Sequence, residues 1–206
     1  MKKVITIVIA IIITLALVIT LSGWAVVLDY DRVDWMAIMI ESAQSGDDAR
    51  GQWAETERNN KIERLGLDVP CVAYEDLYLL GKIMTLEAGD CPYDECPLGV
   101  GEVVLNRVAS PEWDMPDTIR EVLMAPRQYY YPSMAARFEA ALPSERCLRL
   151  ALRLLNGERH MEPYVIYHDN WGGHGAGPYV SYWHPGHGRL YFCISGNWRM
   201  YEYYMA

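Results

Sequence analysis

The sequence predicts an α+β protein, predominantly α, with a small β element near its C-terminal end and a transmembrane helix at its N-terminal end. Three observations carry this reading. Val4 to Leu28 contains no charged residue, segments of helical period follow one another from Tyr74 to Gly157, and the composition turns β-type after Pro163.

The first run is long enough to cross a bilayer, which takes about 20 apolar residues. It also exceeds the apolar core of a signal peptide, about 7–15 residues, although Gly23 and Ala25 offer small residues of the kind a cleavage site uses. Lys2 and Lys3 precede it and acids follow it, which places the N-terminus in the cytoplasm and the rest outside. Residues 1–28 are therefore read as a signal anchor. Residues 29–70, with the polar stretch "SGDDARGQWAETERNNKIER", show no clear apolar stripe and are read as a stalk or linker with some helix. Residues 71–206 have the size of one domain.

Within that domain, "YEDLYLLGKIMTLEAG" sets Leu77, Leu80, Ile83 and Met84 on one helical face, with Gly89 as a stop. "PLGVGEVVLNRVASP" is a second helix, with Val100, Val103, Val104 and Val108 inward. "PDTIREVLMAP" is a short third, opened by Asp117 as cap and closed by Pro126. "SMAARFEAALP" is a fourth. "SERCLRLALRLLNGE" is a fifth, with Ser144 as N-cap and Asn156-Gly157 at its end. "YVIYH" (164–168) and "RLYFCIS" (189–195) read as strands joined by a loop rich in Gly, His and Trp.

Charge and cysteine content narrow the function. The formal charge is −9 and no basic stripe exists, so the electrostatic footprint of a nucleic-acid binder is absent. All five cysteines, Cys71, Cys91, Cys96, Cys147 and Cys193, lie beyond the apolar run. An odd number leaves at least one unpaired within the chain.

The residue that stands out is Glu87, in the last turn of an apolar helix. The negative end of the helix dipole and its neighbours Met84 and Leu86 both disfavour an ionised carboxylate. A carboxyl that keeps its proton near neutral pH meets the requirement for a general acid acting on a glycosidic oxygen.

The surroundings of Glu87 resemble the cell wall hydrolase family typified by the spore cortex-lytic enzyme SleB. The likeness rests on Glu87-Ala88, the Pro92-Tyr93 turn, and the helix ending Val104-Leu105-Asn106-Arg107-Val108. Arg127-Gln128-Tyr129, "LALRLLNGE", "YVIYHDN" and "GHGRLYF" extend it over about residues 74–193. His168 and Asp169 depart from the family's more usual residues there. The resemblance implies a lysozyme-like domain that cleaves peptidoglycan between N-acetylmuramic acid and N-acetylglucosamine, with Glu87 as catalytic acid and, in a lytic transglycosylase, also as base. It implies no metal or other cofactor.

Peptidoglycan and, through the N-terminal run, the membrane are thus the expected partners. Gln128, Tyr129, Asn170 and Trp171 are candidates for sugar binding, since apolar sugar faces stack on rings and hydroxyls pair with amides. Tyr130, Tyr131, Tyr182 and Trp183 are assigned to the core, and Asn106 and Arg107 to helix packing. A muramidase needs a second carboxylate about 5–9.5 Å away, for which Asp90, Asp94, Glu95 and Glu102 are available. Two other functions compete. His168, His174, His184 and His187 fall in one Gly-rich region and raise a zinc-dependent wall amidase or peptidase, though their spacing fits no two-His helix motif. A non-catalytic wall-binding module is the other.

Overall fold

A computed structural model describes residues 32–112, 116–126, 128–129 and 132–204. The expected transmembrane helix, residues 1–28, lies outside the described residues. Among those described, no helix is long and apolar enough to cross a membrane. The chain divides into two units, Met1–Trp35 and Met36–Ala206, and the second carries the core and the cleft.

The segment expected as a stalk holds two helices, α1 (Trp35–Ser45) and α2 (Asp48–Leu65). Asp47 caps α2 by accepting the Arg50 N–H at 3.1 Å, and Gly66 ends it in the left-handed conformation at φ 60°. Met39, Ile40, Ala43 and Ala54 are buried. The start of α3 (Tyr74–Ala88) is tied to α2: the Tyr74 N–H donates to Glu55 at 2.9 Å and its hydroxyl to Asp48 at 3.0 Å.

Helix α3 is the central element. Leu77, Leu80, Ile83 and Met84, its expected inner face, are fully buried. It packs on α4 (Glu95–Val108) and α7 (Glu145–Leu155). Two glycines make α4 fit there. A Cβ at Gly99 would sit 2.3 Å from the Phe192 ring, and one at Gly101 would meet Leu154 at 2.6 Å. Glycine is a poor helix former, so here close approach outweighs propensity. Val100, Val103 and Val104 point inward as expected, while Val108 is only half-buried.

The short helix α5 (Ile119–Met124) is capped by Thr118, not by Asp117. Thr118 adopts extended backbone and accepts the Glu121 N–H at 3.2 Å, while its own hydroxyl donates to the Glu121 carboxylate at 2.9 Å. The spacing is that of a capping box, with the Glu121 carboxylate taking the Thr118 hydroxyl instead of its backbone N–H, and Asp117 stands one residue too early to cap. Helix α6 (Pro132–Ala140) follows, and α7 is capped by Ser144, whose hydroxyl accepts the Cys147 N–H at 3.2 Å.

The β element has three strands rather than two. β1 (Val165–Asp169), β2 (Gly177–His184) and β3 (Gly188–Ile194) form an antiparallel sheet in the order β1-β3-β2. β2 lies inside the segment expected as loop. Its "YVSYW" core has strand composition, which flanking Gly, Pro and His residues hide. A last helix, α8 (Arg199–Tyr204), is anchored by Tyr201, whose hydroxyl is 2.7 Å from that of Ser110 and donates to buried Glu112 at 3.1 Å.

The end of α4 holds the sheet in place. Asn106 Nδ2 donates to the carbonyls of Glu162 and Val165, each at 3.0 Å, and Arg107 Nε donates to the Ile166 carbonyl at 2.6 Å. The pair does the packing work assigned to it from the sequence. All five cysteines are free thiols.

Candidate active site

Glu87 is the penultimate residue of α3, which ends at Ala88 with the Gly89 N–H donating to the Thr85 carbonyl at 3.1 Å. Its carboxyl opens into a cleft of about 470 Å³ between the end of α3, helix α6 and the sheet. Leu86, Met134 and Leu190 give the cleft an apolar side. Arg137, His168, Asp169, Asn170, Trp171, His184 and His187 give it a polar one. Burial pushes the Glu87 carboxyl above the ordinary carboxylate range, and the nearby Arg137 and His187 pull in the other direction without cancelling it.

The other cleft-lining carboxylate is Asp169, and it is fully engaged. One oxygen accepts the N–H groups of Trp171, at 2.7 Å, and of Gly172; the other meets His174 Nδ1 at 2.7 Å and the Cys193 thiol at 3.8 Å. Burial favours a raised pKa at Asp169, but these hydrogen bonds outweigh it and hold the group below its usual range. Its bonds shape the loop that carries Asn170 and Trp171. The Trp171 ring, 71 % exposed, stacks on His174 at 5.2 Å, which stacks in turn on Tyr167 at 5.4 Å.

Two of the sugar-binding candidates, Asn170 and Trp171, thus share a cleft with Glu87. The other two stand behind it. Tyr129 is buried, with its hydroxyl 3.2 Å from His168 Nε2 and its ring stacked on that imidazole at 5.5 Å. Gln128 accepts a hydrogen bond from Arg107, whose guanidinium also lies over the Tyr129 ring at 5.2 Å. Burial, reinforced by Arg107, holds His168 down to about 3, so this cleft histidine is neutral at any physiological pH. Burial pushes the Tyr129 hydroxyl up to about 12.

Of the four further carboxylates considered as partners for Glu87, none lines this cleft. Asp94 pairs with Arg146 at 2.7 Å, and Glu95 and Glu102 belong to a separate pocket. Asp90 stands at the rim, where Nε2 of His184 lies 3.0 Å and Nε2 of His187 3.5 Å from its two oxygens. Arg137, His184 and His187 join the site through tertiary packing. Only the histidines left a trace in the sequence, as residues of one Gly-rich region.

Asp90, His184 and His187 bring one ligand atom each within 4.8 Å of one another, which is the set that could hold a metal ion. The hydrogen bonds fit that use poorly. The Gly186 N–H donates to His184 Nδ1 at 3.1 Å, so neutral His184 carries its proton on Nε2 and gives it to Asp90. A histidine that binds metal through Nε2 needs the opposite tautomer, with its Nδ1–H given to an acceptor.

A model of the cell wall hydrolase family matches residues 94–192. That stretch, just under half of the chain, is similar to the cell wall hydrolase family. No curated protein and no solved structure matches it. The match supports a hydrolase acting on peptidoglycan. The matched stretch runs from the start of α4 into β3 and takes in Arg137, His168, Asp169, Asn170, Trp171, His184, His187 and Leu190. Leu86 and Glu87, also lining the cleft, precede it.

Proposed function

We propose that the protein is a membrane-anchored peptidoglycan glycosidase that cuts the glycan backbone between N-acetylmuramic acid and N-acetylglucosamine as a lytic transglycosylase. The observation that carries this is the state of Glu87: one unpaired carboxyl, raised by burial, opening into a cleft with an apolar side and an exposed indole. In the first step the Glu87 carboxyl gives its proton to the glycosidic oxygen as the bond from C1 to that oxygen breaks. The carboxylate left behind then takes the proton of the muramic C6 hydroxyl as that oxygen bonds to C1. The anhydro ring closes and Glu87 is reprotonated.

A muramidase would need a second free carboxylate to handle water. Asp169, the one other acid lining the cleft among the described residues, has its oxygens occupied, which favours the single-carboxyl reaction. A helical body that ends one helix on the acid and faces it with a small sheet is consistent with a lysozyme-like arrangement. The apolar run from Val4 to Leu28 supports anchoring with the domain on the wall side of the membrane.

The test is digestion of purified sacculi by the full chain, wild type beside Glu87→Gln. Loss of about 10²–10⁴-fold in rate is expected of a general acid. Anhydro ends on the released muropeptides identify the transglycosylase, and hydrated ends a muramidase. Free peptides from an intact glycan would instead favour the amidase reading that Asp90, His184 and His187 raise. Undiminished digestion by the glutamine variant would overturn the role of Glu87.

A further inference from the structure

A second pocket, of about 250 Å³, lies beside α4. It is lined by Asp94, Glu95, Leu98, Gly99 and Glu102 from α4 and the turn before it, with Arg153 of α7, His160, Met161 and Tyr182 around them. We propose that it binds the primary ammonium of a diamino-acid side chain in the peptide stems of the wall polymer, with Glu102 as the buried anchor.

Glu102 is 1 % exposed. One of its oxygens accepts the N–H groups of His160 and Met161, and the other, Oε2, is buried without any hydrogen-bond partner. An unpaired buried polar atom costs about 1–3 kcal/mol, a cost that a donor entering the pocket relieves.

The charge around it asks for a cation. Arg153 and His160 are both taken up by Glu158, through Nε–Oε2 at 2.7 Å and Nε2–Oε1 at 2.7 Å. Asp94 is matched by Arg146. Glu95 makes no ion pair among the described residues and stands exposed at the mouth. A metal ion is not the fit, because among the described residues only Asp90, His184 and His187 bring three ligand atoms within 4.8 Å. Carboxylates spread along a pocket walled by Leu98, Met161 and Tyr182 suit an aminoalkyl chain instead. The volume agrees, being below the roughly 300–1,000 Å³ of a drug-sized site and sufficient for one side chain.

The assignment rests on the peptidoglycan reading, and the geometry links the two sites. Asp90 at the cleft rim and Glu95 at the pocket mouth are five residues apart on one turn, which spans at most about 18 Å. A stem peptide of four or five extended residues covers that distance. Burial also pushes the Glu102 carboxyl up, and a bound ammonium opposes this, so binding releases protons.

Two measurements decide it. Calorimetric titration of the full chain with Nα-acetyl-lysine amide should show saturable binding with proton release. Binding should weaken about tenfold when the amine is acetylated, and likewise in Glu102→Gln or, should that variant misfold, in the surface variant Glu95→Gln. Equal binding of the acetylated analogue overturns the site. In the second arm, sacculi with acetylated amino groups should be digested several-fold more slowly than native ones, and that ratio should fall toward one in the same variants. Equal rates on both sacculi alongside intact binding of the amide assign the pocket to free amines and overturn the wall-peptide source. If neither kind of sacculus is digested, the glycosidase reading fails, and the titration by itself then decides the pocket.

Discussion

The Asp169 carboxylate accepts the backbone N–H of Trp171 at 2.7 Å, and this bond sets the turn that presents an exposed indole in the cleft of Glu87. Asp169→Ala removes this bond together with those to Gly172 and His174. Hydrogen bonds to a charged group contribute about 1.5–3 kcal/mol each. With partial repair by water, a loss of about 2–4 kcal/mol in urea denaturation is expected. A variant as stable as wild type would show that the loop holds its shape without the carboxylate.

The pH dependence of digestion should follow Glu87. A general acid must carry its proton, so the rate falls as pH rises through a Glu87 pKa that burial has raised. The Arg137 guanidinium pulls that pKa down. Removing it in Arg137→Ala should therefore move the alkaline limb of the pH–rate profile to higher pH. A limb that stays put, or moves to lower pH, contradicts the assignment.

The same shift has a stability consequence of definite sign. The folded state holds the Glu87 proton more tightly than the unfolded chain, so stability falls as pH rises through the folded pKa. Glu87→Gln cannot ionise and is free of that loss. Above neutrality it should melt higher than wild type while being inactive, a pairing that thermal denaturation at pH 8 reads directly.

Trp171 and Gln128 should separate kinetically. Trp171 lines the cleft, and losing its stacking surface should raise KM about tenfold with little change in kcat. Gln128 accepts from Arg107 behind the cleft, so Gln128→Ala should lower stability by about 1 kcal/mol and leave KM near the wild-type value. Sacculus digestion and urea unfolding of both variants supply the four numbers.

Chelation tests the rim. Because His184 spends its Nε2 proton on Asp90, digestion should survive EDTA, and added zinc should not accelerate it. Loss of activity on chelation, restored by zinc, would move the reading to the metal-dependent amidase.

Much of the scaffold was legible because its signals are local. Ser144 sits where a capping hydroxyl must sit, and Leu77, Leu80, Ile83 and Met84 repeat at the helical period. The third strand was hidden because β2 mixes strand residues with the Gly, Pro and His that mark loops, and pairing with β3 decides the matter. Gln128 and Tyr129 read as sugar ligands by residue type alone. Arg107, arriving from α4, bonds Gln128 and covers the ring of buried Tyr129 instead.

By itself, then, the sequence determined the family resemblance, the helical core and the carboxyl placed where α3 ends, because periodicity, caps and a local motif are properties of neighbouring residues. Tertiary structure alone decided which groups surround that carboxyl. Arg137, Asp169, His184 and His187 come from elements far apart in the chain, and only the packing of α6 against α3 and of the sheet against α4 brings them to one cleft. The pKa of Glu87 is set there too, since burial is a property of everything that covers a residue and not of the residues beside it.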